Sequence, residues 1–155
     1  MEQLRVPTVA LEAQIRYFDE RPLSGRIFLP AAAQRHEGPM HPEEWINQTN
    51  LFFPFLMDGE PRARLLNKRY VVVLTVDAGK HAEVFGQPIG NPRRVAVECG
   101  SLRLEGTMYI EMPEHASRLL DWANRPEPFL VLYDQEQRHI VQKNRITFLS
   151  EIMED

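Results

Sequence analysis

Cysteine is nearly absent. Cys99 is the only one in 155 residues, which excludes an internal disulfide framework and a cysteine-cluster metal site. A reducing, cytoplasmic setting is the simplest expectation. Long apolar runs are missing too. The most apolar stretch, Tyr70 to Val76, has the length of a strand, far short of the ~18 residues of a membrane-spanning helix. The opening MEQLRVPTVALEAQ has no basic segment followed by an apolar one, so no signal peptide is expected. Positive charge is not in excess in either part of the chain. Residues 1–92 hold ten Lys/Arg against eleven Asp/Glu, and residues 93–155 eight against eleven. Duplex nucleic acid is therefore not an expected partner.

Recognisable catalytic motifs are missing as well. Ser24, Ser101, Ser117 and Ser150 lack the G-x-S-x-G setting of an activated serine. The segment GQPIGNP lacks the lysine and the strand-to-helix context of a phosphate loop. Cys99 sits between Glu98 and Gly100, with no base or positive neighbour to activate it. The expectation is a protein that is not an enzyme and needs no cofactor.

What the chain does have is internal repetition. LSGRIFLP (from Leu23) lies over LEGTMYIE (from Leu104), and HPEEWIN (from His41) over RLLDWAN (from Arg118). FPFLMDGEPR (from Phe53) lies over FLVLYDQEQR (from Phe129), and NKRYVVVL (from Asn67) over KNRITFLS (from Lys143), which sets Arg69 on Arg145. Four blocks in one order read as a tandem duplication of a unit of roughly 60 residues. The expected units are residues 4–77 and 93–152, joined by a linker over 78–92. The largest difference between them is the Ala31–Met40 loop of the first.

Each unit reads β-β-α-β-β-β. Leu104, Gly106, Met108 and Ile110 alternate with Glu105, Thr107 and Tyr109, as Leu23, Gly25, Ile27 and Leu29 alternate in the first copy. Period two marks half-buried strands. Cys99-Gly100-Ser101 and Asp19-Glu20-Arg21-Pro22 mark the turns before them. Gly25 and Gly106 fall mid-strand, where glycine marks a bulge, a sharp bend or close packing of another element. Pro42-Glu43-Glu44 and Pro113-Glu114 suit the first turns of short helices, which Asn47 and Asn124 end. The expected fold class is α+β, mainly antiparallel β, with two pseudo-equivalent units forming small barrels or strongly bent sheets.

These blocks resemble a small bacterial domain family of unknown function, whose pattern reads G-x-I-x-L-P, then R-L-S-D-F-L-N, then F-I-x-L-T-D. The second copy matches through Arg118, Leu119, Asp121, Trp122 and Asn124, whereas the first has His41-Pro42 in place of Arg-Leu. The resemblance covers about two-thirds of the chain and implies no activity. The closing HIVQKNRITFL also resembles the last hairpin of Sm-like barrels.

Candidate site residues remain. His36 and His41, with Glu37, Glu43 and Glu44, are the densest metal-ligand types, but their spacing matches no signature. A solvated loop opening a helix explains them equally. Asp58 and Asp134 fit hairpin turns. Trp45 and Trp122 suit core anchors better than base-stacking platforms. Phe52, Phe53 and Phe55 form an apolar patch for a partner, or a strand buried on both faces. Arg69 and Arg145 pair with the repeated carboxylates or offer a partner-facing charge. The leading expectation is a non-enzymatic protein-interaction or assembly module that joins another protein, a homo-oligomer included, through strand edges or the aromatic patch. The alternatives are a small-ligand or nucleotide-sensing domain binding between the copies, and an Sm-like RNA-binding module.

Overall fold

Alternation becomes a strand wherever one face can be covered, and here it does so ten times. The computed structural model describes residues 7–19, 21–81, 85–113 and 118–153. In chain order the elements are β1 (Thr8–Tyr17), β2 (Pro22–Pro30), α1 (Pro42–Ile46), β3 (Phe52–Met57), β4 (Arg64–Asn67) and β5 (Val71–Asp77). Then come β6 (Asn91–Cys99), β7 (Leu102–Ile110), α2 (Leu119–Ala123), β8 (Phe129–Asp134), β9 (Gln137–Gln142) and β10 (Phe148–Glu151). Leu11, Ala13 and Ile15 are buried while Glu12 and Gln14 are exposed, as period two requires.

All pairings are antiparallel and form one open ten-stranded sheet, ordered β10-β6-β7-β8-β9-β5-β1-β2-β3-β4. The first five strands run β5-β1-β2-β3-β4 and the last five β10-β6-β7-β8-β9. Strands of the same serial position thus have the same neighbours in both halves. The halves join through β5 and β9, which pair from Val73↔Val141 to Asp77↔Gln137.

The two mid-strand glycines have a steric cause. A Cβ on Gly25 would overlap the Leu56 carbonyl oxygen, and one on Gly106 would lie 2.5 Å from the Tyr133 oxygen. The sheet passes from β2 to β3 and from β7 to β8 at these points, over only a few paired residues. Only glycine admits so close a backbone crossing.

Two apolar clusters fill the body. One gathers Leu11, Ile15, Ile27, Phe53, Phe55 and Leu74 with Phe129 and Ile140. The other gathers Val73, Val95, Val97, Met108, Leu132 and Val141. The neighbours Val73 and Leu74 belong to different clusters, so β5 is covered on both faces. That explains its unbroken apolar run.

Several boundaries differ from the sequence reading. β6 opens at Asn91, inside the expected linker. α2 opens at Leu119 with Arg118 as its flanking residue, so Pro113 precedes it and Glu114 lies outside the described residues. A five-residue helix is too short to be stable alone, and both helices stand by packing on the sheet. No described helix is long and apolar enough to cross a membrane.

Candidate functional site

Three places concentrate the polar chemistry of the chain: the seam between β5 and β9, the cleft beside it, and the two open ends of the sheet.

At the seam, buried polar side chains tie the halves together. Thr75 Oγ1 and His139 Nδ1 lie 2.9 Å apart. The Gln142 amide donates to the Lys68 carbonyl (2.6 Å) and the Val71 carbonyl (2.9 Å). Asn47, which ends α1, accepts from the Phe129 N–H at 2.9 Å and so clamps the helix of one half onto β8 of the other. Arg138 is 5% exposed. It donates to Glu43 (3.1 Å) and to the Gly86 carbonyl (2.6 Å), with its guanidinium over the Phe85 and Tyr133 rings.

Beside the seam opens a cleft of about 700 Å³. Its walls include His41, Glu43, Tyr109, Trp122, Tyr133 and Arg138. Burial pushes the Tyr133 hydroxyl up to about 12, so it stays protonated as a donor. The Oε2 atom of Glu43 is buried without a hydrogen-bond partner among the described residues. The sequence reading did not bring these walls together, because they come from both halves and meet only through the β5–β9 pairing.

His36 and His41 do meet. Their rings stack with centroids 4.0 Å apart and 19° between planes. His36 Nε2 lies 2.5 Å and His41 Nδ1 3.2 Å from the same Glu44 oxygen. The three offer ligand atoms within 4.8 Å of one another. Both rings, however, already direct a nitrogen at one carboxylate oxygen, so the contact is complete without an ion. The carboxylate that both touch suits a proton-sharing tether of the loop to α1 better than a cation cage.

The two imidazoles are pushed opposite ways. Hydrogen bonds to the Glu37 carbonyl and to Glu44 raise His36 above 6.5, while burial holds His41 below 6.5. For Glu44, burial opposes ionisation, but the bonds from His36 and the His41 N–H prevail and keep it below 4.5. A raised histidine stabilises the fold below its unfolded value and loses that effect as pH rises through its folded value. A lowered carboxylate stabilises above its unfolded value and loses the effect as pH falls. The His36–Glu44 contact is therefore fully present between 4.5 and 6.5, while His41, held below 6.5 by burial, works against it as the pH falls below 6.5. Histidine NMR titration is expected to give His36 a midpoint above 6.5 and His41 one below it; the reverse order contradicts this geometry.

The other sequence candidates scatter. Phe53 and Phe55 are buried in the core, 1% and 0% exposed, so the expected three-residue docking patch is corrected to Phe52 alone, which is 50% exposed. Alternation along β3 turns Phe53 and Phe55 inward and Phe52 outward. Arg145 does not face outward alone: its guanidinium donates to the Arg69 carbonyl at 3.1 Å through Nε. Arg69 is second in the 3-10 turn Lys68–Tyr70, and Arg145 third in Lys143–Arg145, so they occupy different places in their turns. Burial pushes the Cys99 thiol up, which disfavours its thiolate. Trp45 packs edge-on against Phe53, whereas Trp122 lies in the cleft with Arg125 over its ring at 4.1 Å.

The open ends are β4 and β10. Large apolar side chains stand uncovered at both: Leu65 (70% exposed) beside Phe52 on one, and Phe148 (67%) on the other. Backbone groups face outward there too. The Lys68 N–H donates to the Leu51 carbonyl at 2.9 Å. With antiparallel alternation, this makes Phe53↔Leu66 and Phe55↔Arg64 the bonded pairs of β3 and β4. Leu65 opposes Pro54, which has no N–H, so the N–H and C=O of Leu65 point off the sheet. On β10, the Ile152 N–H donates to the Arg94 carbonyl at 2.8 Å. By the same alternation Ser150↔Ala96 is a bonded pair, and Leu149 and Glu151 present their backbone outward.

No protein-family model matches the chain, and no curated protein or solved structure matches it.

Proposed function

We propose that this protein is a non-enzymatic assembly module that works by strand addition at both open ends of its sheet. One observation carries the reading: among the described residues, β4 and β10 each present an unpaired backbone row together with uncovered large apolar side chains. Natural edges are ordinarily blunted by charge, bulges or a covering segment. An open edge that carries uncovered apolar side chains is suited to receiving another strand, with main-chain bonds for affinity and alternate side chains for specificity. The recurrence of one strand order in both halves supports a duplicated unit as the origin of the two ends.

Proline at an outward-facing position removes a donor from the edge without touching the ladder behind it. Leu65→Pro and Glu151→Pro are such changes. In lysate of cells expressing the tagged chain, the wild type is expected to migrate well above its 18.1 kDa mass. The double variant, its fold checked by circular dichroism, is expected to migrate at that mass. An unchanged size on blocking both edges overturns the proposal.

A second reading rests on the cleft. Polar and aromatic residues, among them Glu43, Tyr109, Trp122, Tyr133 and Arg138, line a volume fit for a small molecule. A nucleotide or metabolite that binds there raises the melting temperature by mass action, and a screen in which no compound does so removes this reading.

A further inference from the structure

We infer that the partner is a second copy of this chain, whose β4 edge adds to β10 head to tail and repeats between molecules the β5–β9 seam found within one. The inference rests on the strand-addition reading and names its partner.

The seam is the template. It joins a fifth strand, β5, to a fourth strand, β9, and the ends left open are a fourth strand, β4, and a fifth, β10. Pairing fixes the residue correspondence. Phe52 and Phe129 each open a strand and oppose Asn67 and Gln142, the residues that begin the two 3-10 turns. Val131 opposes Ile140 as Pro54 opposes Leu65, so Leu65 stands where Ile140 does. Ile15 opposes Leu74 as Val97 opposes Leu149, and Leu149 stands where Leu74 does. Leu74 and Ile140 face each other in the seam.

The hydrogen-bond phase agrees. The Ala78 N–H donates to the Glu136 carbonyl at 2.7 Å, which by alternation makes Leu74↔Ile140 a bonded pair. Leu65 and Leu149, their counterparts, are residues whose backbone groups point off the two ends. Had either strand been out of phase by one residue, they would point inward.

The exposed side chains agree as well. Ile140, Phe129 and Val73 are 0%, 4% and 4% exposed at the seam. Their counterparts Leu65, Phe52 and Phe148 are 70%, 50% and 67% exposed. Burying apolar area of this kind stabilises by ~25 cal/mol per Å², so the same contact between copies covers what a lone chain leaves wet. Asn47 ends α1 and clamps Phe129; Asn124 ends α2 and is placed to clamp Phe52 of the next copy in the same way. Charge is complementary, with Arg64 on β4 and Arg62 just before it, and Glu151 on β10; within one copy Arg64 bonds Glu60 and Glu151 lies 3.5 Å from Arg93. Because the two surfaces differ, the contact is heterologous, and it generates a ring or a filament rather than a two-fold dimer.

Sedimentation velocity of the purified chain is expected to give species of at least three times 18.1 kDa, reduced to that single mass by Leu65→Asp. A monomer at about 100 µM, where even weak specific pairing is populated, overturns the inference. Geometry is read by crosslinking in a Cys99→Ser background. Thr75↔His139 is the non-bonded pair beside Leu74↔Ile140, so Ser150 and Arg64 are its counterparts, with Cα atoms about 4.5 Å apart across copies, within disulfide reach. A mixture of Ser150→Cys and Arg64→Cys chains is expected to form the mixed disulfide, and neither variant a dimer alone. Self-crosslinking of a single variant, or no mixed disulfide, overturns the head-to-tail contact. A monomeric purified chain beside a large, edge-dependent complex in cells overturns the second-copy partner and leaves strand addition standing; a single-chain mass in both overturns both.

Discussion

Arg138→Ala is expected to lower the unfolding free energy by about 3–5 kcal/mol, the cost of breaking a buried ion pair from one side. The guanidinium is 5% exposed and bonds both Glu43 and the Gly86 carbonyl. Removing it strips the carboxylate of its cation while the other Glu43 oxygen already lacks a hydrogen-bond partner among the described residues. The Phe85 and Tyr133 rings on which the group rests, 4.5 and 4.9 Å away, lose their cover in the same step. Replacing the pair together, Arg138→Met with Glu43→Leu, removes the charge and its orphan at once and is expected to recover most of the loss. Urea unfolding of the two variants measures both values. A loss below about 0.5 kcal/mol for Arg138→Ala would mean that Glu43 relaxes into solvent and that α1 is not held to β9 through this pair.

Ile140→Ala is expected to cost about 2–5 kcal/mol, because it opens a cavity in a seam closed on both faces. Ile140 is 0% exposed and lies in the same cluster as Leu74, directly across the seam. Leu65→Ala makes the opposite case. Leu65 stands at the corresponding place on the open edge and is 70% exposed. In dilute, dissociated chains its truncation is expected to fall within about 0.5 kcal/mol of neutral, while weakening assembly. Equal costs at the two positions would contradict the division into a closed joint and an open one.

The strands could be read from the sequence because their cause is local. Alternation from Leu102 to Ile110 and from Leu23 to Leu29 marks β7 and β2, and Cys99-Gly100-Ser101 the turn before β7. The mid-strand glycines pointed to a bend, and a close backbone crossing lies there. The register of the repeats was less legible. Matching Phe53 to Phe129 rested on residue type, whereas strand pairing places Phe52 opposite Asn67 as Phe129 is opposite Gln142. Phe52, Phe53 and Phe55 read as a patch because the run is more apolar than its counterpart, and alternation along β3 turns Phe53 and Phe55 into the core. The seam could not be read from either half alone, because β5 and β9 are far apart in sequence and lie in different halves. One signal was present: the unbroken run Tyr70 to Val76 has the pattern of a strand covered on both faces. For Arg138 and the cleft there was no local signal, since Glu43, Gly86 and Tyr133 meet only after the halves join.

Amide hydrogen exchange at Leu65 and Leu149 is the most direct test of strand addition at the open ends. If those ends receive strands, both amides exchange slowly at working concentration, at rates approaching those of Leu74 and Ile140, and speed up on dilution. Exchange at both as fast as in an exposed loop, with Leu74 and Ile140 still protected, would contradict it.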